Sequence, residues 1–201
     1  MSDVSNKTLA ILVGIAIIIS LVGILSVSRG GVRYISGGAT GSGPVSFNAT
    51  SEVSILVTGS IDWGNGRVNK TAASATLDSD AGTVVGGTWT PVTQYINIEN
   101  DGTENITVDL NANANNNAAG LIGGTSPSFK MKGVDVDGGC AALETTYTAV
   151  PNSTETKFNI CPVMTYDVDN DEFKVAAELV IPSDAAAGAR NATITFTGTK
   201  V

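Results

Sequence analysis

Leu9 to Val27 (LAILVGIAIIISLVGILSV) constrains this chain more than any other stretch, because its nineteen consecutive residues carry no charge. As a helix it would be roughly 28 Å long at 1.5 Å per residue, close to a bilayer's hydrocarbon thickness of about 30 Å. The run is apolar on every face and not along one stripe, so it does not read as a helix of a globular core. The expectation is a retained single-pass anchor. Two readings compete with it. A cleaved secretory signal would use Ser26-Val27-Ser28 as a small-x-small site before Arg29, although signal cores run to about 15 residues. A pilin-like assembly helix would be cut after a basic-Gly pair, which Lys7-Thr8 is not.

The remainder reads as a different kind of protein. Residues 1–8 form a short polar tail, 9–28 the transmembrane helix and 29–44 (RGGVRYISGGATGSGP from Arg29) a Gly/Ser-rich tether; residues 45–201 form the folded domain. From Tyr34 onward, 8 Lys/Arg face 18 Asp/Glu, a formal charge of −10. With no basic cluster, nucleic acid and anionic lipid headgroups are poor partners. Lys7 before the helix and Arg29 and Arg33 after it lean weakly towards a cytoplasmic C-terminus. The exported character of the domain outweighs that small bias.

Histidine is missing altogether, which removes His-based triads and His–metal sites. The two cysteines, Cys140 and Cys161, are too few for a four-cysteine zinc site and too far apart for a redox CxxC pair. In an oxidising compartment the expectation is one disulfide, closing a loop of about 22 residues for roughly 3 kcal/mol on the chain-entropy reckoning, against two free buried thiols. Five Asn-x-Ser/Thr sequons lie after the apolar run, at Asn48, Asn69, Asn105, Asn152 and Asn191, and permit N-glycosylation.

Hydrophobic alternation recurs throughout the domain. It runs through Val53, Ile55 and Val57; Ala73, Ala75 and Leu77; Ile96 and Ile98; Ile106, Val108 and Leu110; Phe129 and Met131; and Phe158 and Ile160. The longest case is Phe173 to Ile181, with Lys174 and Glu178 on the opposite face and Pro182 as its stop. A last Thr-rich strand places Ala192, Ile194 and Phe196 inward. Asn100-Asp101-Gly102 predicts a tight strand–turn–strand with the glycine at positive φ. Asn111–Asn117 (NANANNN) reads as an exposed loop. Short strands with one apolar face and Gly/Asn/Asp turns predict an all-β, antiparallel, Ig-like or Greek-key β-sandwich behind one N-terminal transmembrane helix.

Asp167, Asp169, Asp171 and Glu178 fall at positions 1, 3, 5 and 12 of a calcium-loop register. Glu172 stands where that loop requires Gly, and the following residues pattern as a strand, so Ca2+ is a weak candidate beside a solvated acidic turn. Asp135-Val136-Asp137-Gly138-Gly139 is a weaker one. Trp63 and Trp89 are candidates for an aromatic sugar platform, against ordinary packing. No carboxylate pair stands out for acid–base work on a glycan. Catalytic residues and an obligate cofactor are therefore not expected. The Thr-rich last strand and Val45-Ser46-Phe47 are candidates for strand exchange between subunits.

Several segments occur in a telling order: the anchor, the tether, Ile61-Asp62-Trp63-Gly64, Ile98-Glu99-Asn100-Asp101-Gly102 to Leu110, Ile122-Gly123-Gly124-Thr125, and Ile181-Pro182-Ser183-Asp184-Ala185 to Thr197. In that order they resemble membrane-anchored surface proteins of small-genome (DPANN-type) archaea. The ending is also similar to camelysin/TasA-like exported sandwiches, whose members form fibres by strand donation. These resemblances imply a structural or adhesive envelope protein, single-pass in the cell membrane with its C-terminal domain outside. Its expected partners are the bilayer through residues 9–27, other surface proteins or glycans, and further copies of itself. The alternative is a filament subunit assembled by strand donation after N-terminal cleavage; a glycan-acting enzyme ranks below both.

Overall fold

The alternation from Phe173 to Ile181 forms the longest strand of the domain, Glu172–Pro182. The computed structural model describes residues 51–113 and 116–201. The apolar run Leu9–Val27, the tether 29–44, Val45-Ser46-Phe47 and Asn48 lie outside the described residues. Among the described residues the strands are β1 (Leu56–Gly59), β2 (Ser74–Asp78), β3 (Thr83–Val85), β4 (Ile96–Glu99) and β5 (Ile106–Ala112). They continue as β6 (Ser128–Asp135), β7 (Cys140–Ala141), β8 (Thr148–Ala149), β9 (Phe158–Met164), β10 (Glu172–Pro182) and β11 (Ile194–Lys200). One helical turn, α1 (Ala118–Leu121), is capped by Asn117, whose side chain accepts from the Gly120 N–H.

The strands make two antiparallel sheets, consistent with an all-β sandwich. In the seven-stranded sheet β10 is the spine. Along one edge it pairs first with β4 (Glu172 opposite Glu99) and then with β2 (Leu179 opposite Leu77). Along the other it pairs with β6 from Phe173 to Val180. β1 extends β4, β3 extends β2 and β8 extends β6. The four-stranded sheet runs β11-β5-β9-β7.

Period-two patterning decides what the sheets bury. Phe173, Val175 and Ala177 of β10, Phe129 and Met131 of β6, and Ile98 of β4 share one core with Ile106, Val108 and Leu110 of β5 and Ile160, Cys161 and Met164 of β9. Burying each of the larger of these side chains contributes roughly 1.5–3 kcal/mol against its exposed state. Ile194 and Phe196 pack against the same core, as the Thr-rich strand predicts.

Connectivity departs from the sequence reading. After β4 each strand lies in the sheet opposite to its predecessor, and β2–β3 is the one hydrogen-bonded pair of consecutive strands among the described residues. The hairpins of an Ig-like or Greek-key order therefore reduce to one. Asn100-Asp101-Gly102 is not a hairpin turn: β4 pairs with β1 and β10, while β5 pairs with β11 and β9. Gly102 is needed for close approach, not for positive φ. A Cβ there would stand 2.6 Å from the Glu52 carbonyl oxygen and 2.9 Å from the Ser54 nitrogen. Nor is Asn111–Asn117 simply an exposed loop. Asn111 and Ala112 end β5 and are buried, and Asn117 caps α1.

Asn100, only 2 % exposed, fastens the first of these crossings. Its Nδ2 donates to the carbonyls of Glu104 (2.9 Å) and Thr165 (3.0 Å), and its Oδ1 accepts from the Gly102 N–H at 3.2 Å. The backbone N–H of Asn100 donates to the Asp171 carbonyl at 2.9 Å. One residue thus fastens the end of β4 to the segment between β9 and β10. Asn100→Ala strands buried carbonyls and is expected to lower the unfolding free energy by about 2–3 kcal/mol in urea titration. The exposed hydrogen bond of Asn97 to Thr58 makes Asn97→Ala the control, with a loss below about 0.5 kcal/mol.

Candidate functional site

Two groupings concentrate the chemistry of the domain, one at an end of β10 and one on the outer face of its sheet. At the end where β10 begins, the segments 135–139 (between β6 and β7) and 165–171 (between β9 and β10) lie against each other. Asp137 joins them. Its Oδ1 accepts from the Gly139 N–H at 2.8 Å, and its Oδ2 accepts from the N–H groups of Asp171 and Glu172, both at 3.2 Å. The Thr165 N–H donates to the Gly139 carbonyl at 2.9 Å, and the Thr165 hydroxyl donates to the carbonyls of Gly139 and Asn170. Any residue but glycine at 139 would put its Cβ 2.7 Å from the Asn170 carbonyl oxygen.

The sequence reading treated these two acidic segments separately; the fold makes them one surface. Burial holds the Asp171 carboxyl above the usual carboxylate range, and the neighbouring charge of Asp137 adds to it. Asp167 and Asp169 are exposed beside it. Asp167 and Asn170 bridge a tight turn, with Asp167 Oδ1 accepting weakly from the Asp169 N–H at 3.4 Å. Glu178, twelfth in the calcium register, lies away from the turn on β10, with its carboxylate 3.6 Å from Lys130 Nζ. Among the described residues no three metal-ligating side chains converge on one point.

Immediately after Gly139, Cys140 on β7 is bonded to Cys161 on β9, with Cα atoms 5.8 Å apart. The expected disulfide is present. It ties the strand that follows the first acidic segment to the strand that leads into the second.

The second grouping was not singled out in the sequence. On the outer face of the seven-stranded sheet, Lys132 Nζ lies 2.6 Å from the Asp80 carboxylate and 4.7 Å from the Tyr147 ring centroid. The Tyr95 hydroxyl donates to Asp80 at 2.9 Å and the Tyr147 hydroxyl to Asp78 at 2.6 Å. Lys174 Nζ stands 5.8 Å from the Tyr95 ring centroid. Below the network Ala176 is fully buried, although it faces away from the core. Alternation puts Lys130, Lys132 and Lys174 on this face, but Tyr147 arrives from an irregular segment that no periodicity reveals.

This network shifts its own titrations. The hydrogen-bonded Lys132 ammonium holds the Asp80 carboxyl below the usual range, helped by the Tyr95 hydroxyl. Burial, then the hydrogen bond to Asp78, pushes the Tyr147 phenol well above its ordinary value, and the bond to Asp80 raises Tyr95. Every polar end is matched by another member, so the cluster reads as a clamp over the sheet.

The remaining candidates resolve individually. Trp63 packs against the core, and Trp89 lies over Gly66 and Gly87, where any Cβ would strike its ring. Asn69, Asn105 and Asn191 are exposed. Asn152 is half-buried in a turn where its Oδ1 accepts from the Thr154 N–H and hydroxyl at 2.9 and 2.6 Å. The segments Ile122–Thr125 and Ile181–Ala185 form one joint. Asp184 accepts from the Thr125 N–H at 2.9 Å and from its hydroxyl at 2.7 Å, contacts that lower the Asp184 pKa. Gly124, at φ 79° beside Gly123 at φ 71°, leaves no room for a side chain: a Cβ there would meet Asp184 at 2.6 Å. No known protein family, curated protein or solved structure matches the chain.

Signs of the pH response follow from these shifts. Asp80 stabilises the fold above about pH 4, its unfolded value, and that contribution is lost as pH falls through its lower folded value. Asp171 acts oppositely, favouring the fold most in acid. Tyr95 and Tyr147 stabilise fully below about pH 10 and lose their contribution as pH rises further. In a Tyr34→Phe/Tyr95→Phe/Tyr166→Phe background, Tyr147 phenolate absorbance is expected to appear only as circular dichroism reports unfolding. Phenolate forming while the fold is intact would refute the Tyr147–Asp78 hydrogen bond.

Proposed function

We propose that this chain is a single-pass, membrane-anchored protein that displays its β domain outside the cytoplasmic membrane as a structural or adhesive part of the cell envelope. The Cys140–Cys161 bond carries this reading. Structural disulfides persist where the surroundings are oxidising, and a chain that forms one after a bilayer-length apolar run fits export with retention. The acidic surface also fits: a formal charge of −10 from Tyr34 onward keeps a displayed domain soluble and away from anionic headgroups.

Display asks for contact surfaces and not for turnover, and the network of Lys132, Asp80, Tyr95, Tyr147 and Asp78 has its polar ends matched internally. The filament alternative requires a sheet edge left open for a neighbour's strand. At Gly198 of the edge strand β11, Val53 and Ile55 pack on the core face beside Ile106, 3.6 Å from where a Cβ would stand, so the N-terminal test decides between the two forms.

Intact mass and N-terminal sequencing of protein from native membranes test the reading. Extraction only by detergent, with an N-terminus at or near Met1, is the expected result. Release without detergent and an N-terminus near Arg29 would replace the anchor with a secreted or filament-forming protein.

A further inference from the structure

The two ends of β10 differ in charge and in exposed apolar surface. An eleven-residue strand separates them by roughly 35 Å. At the end where Glu172 begins the strand, the loops carry Asp101, Asp135, Asp137, Asp167, Asp169 and Asp171 and no lysine or arginine. Out of this acidic surface project Val168, 84 % exposed at the tip of its turn, Tyr166 at 54 % and Val136 at 44 %. Such side chains, gathered on two adjoining segments, are costly to leave in water and mark a contact surface.

The Pro182 end is the complement. The Ser183 N–H donates to the Ala73 carbonyl, the Ala72 N–H to Asn69, and the Asn69 N–H to Gly86, so the 67–73 loop sits there. It carries Arg67 and Lys70, and the 183–193 loop that leaves the same end carries Arg190 together with Asp184, whose carboxylate is taken up by the Thr125 N–H and hydroxyl. These three cations have no carboxylate within 4.0 Å among the described residues; Lys130, Lys132 and Lys200 do. Lys174 is engaged by Tyr95, and Lys157 donates to Thr197. Beside Gly86 stands Val85, 67 % exposed, an apolar counterpart at the basic end.

We propose that the acidic, apolar-tipped end of one copy docks on the basic end of a second copy, so that displayed domains associate head to tail. This rests on the reading of the chain as a displayed surface protein and names its partner. A second copy is the occupant because one chain carries both halves of a complementary pair. The net negative charge opposes side-by-side contact and leaves this orientation as the one in which opposite charges meet. Two different patches make the contact heterologous, so it propagates instead of closing as a two-fold dimer. Exposed pairs of this kind are screened within about 8 Å at physiological salt, which makes the association salt-sensitive.

The test is sedimentation velocity of the full-length protein in detergent. Wild type is expected to form species that grow with concentration at about 0.02 M salt and to sediment as a monomer at about 0.5 M. Two variants change exposed residues only: Asp167→Lys/Val168→Ser/Asp169→Lys at the acidic end, and Arg67→Glu/Lys70→Glu at the basic end. Each alone is expected to bind itself at least about tenfold more weakly. Mixed in equal amounts they offer one intact acidic end and one intact basic end, and should form a dimer that grows no further. Circular dichroism checks that both variants fold. Wild type that stays monomeric at low salt overturns the proposal. So does association that survives high salt and both variants, which would assign it to the apolar run in the micelle. Neither result bears on detergent extraction or on the N-terminus, so the anchor is judged separately.

Discussion

The domain depends on a crosslink that holds like charges together. Cys140–Cys161 ties β7 to β9, and those strands adjoin the two acidic segments. Asp135 and Asp137 lie beside Asp167, Asp169 and Asp171 at that junction; burial raises the Asp171 carboxyl, and the charges of Asp137 and Asp167 add to it. Three devices offset the repulsion. The disulfide removes freedom from the unfolded chain, by roughly 3 kcal/mol for a loop of this length. Asp137 turns its charge onto backbone N–H groups. Asn100 supplies the neutral buried bridge that brings β4 and the start of β10 to the same point.

Topology explains why such fastening is needed. A chain that changes sheet at each connection after β4 gains little from local pairing, because most of its partners are distant in sequence. Loop-closure entropy must be overcome before the ladders form, so folds of this kind fold slowly and depend on long-range contacts for stability. The acidic end is where three of those crossings occur, at 100–105, 135–139 and 165–171. Covalent and buried polar links belong there. On the opposite face of the spine, the Lys132–Asp80 pair and the two tyrosines seal Ala176 from water, giving the larger sheet a covered outer surface.

Much of this was legible beforehand and some was not, for physical reasons. Period-two alternation found β2, β4, β5, β6, β9, β10 and β11, because one buried face leaves a direct trace in sequence. The disulfide was legible because the domain holds just two cysteines. Pairing was illegible. Asn100-Asp101-Gly102 has the composition of a hairpin turn, yet Asn100 spends its side chain on a distant carbonyl and Gly102 its bareness on Glu52. The calcium register failed to gather its fourth member because Glu178 is set by the β10 ladder and not by spacing. Tyr147 could not be foreseen at all, since its partner Asp78 is 69 residues away.

The proposed display outside the cytoplasmic membrane requires an oxidised domain, and the state of its two thiols in the cell tests that most directly. Cells would be quenched in acid, alkylated under denaturing conditions without reductant, and the protein's mass measured before and after reduction. Cys140 and Cys161 both unmodified until reductant is added, with a mass two hydrogens short, is the predicted result. Two alkyl groups added without reductant would place the domain in a reducing compartment and contradict the account.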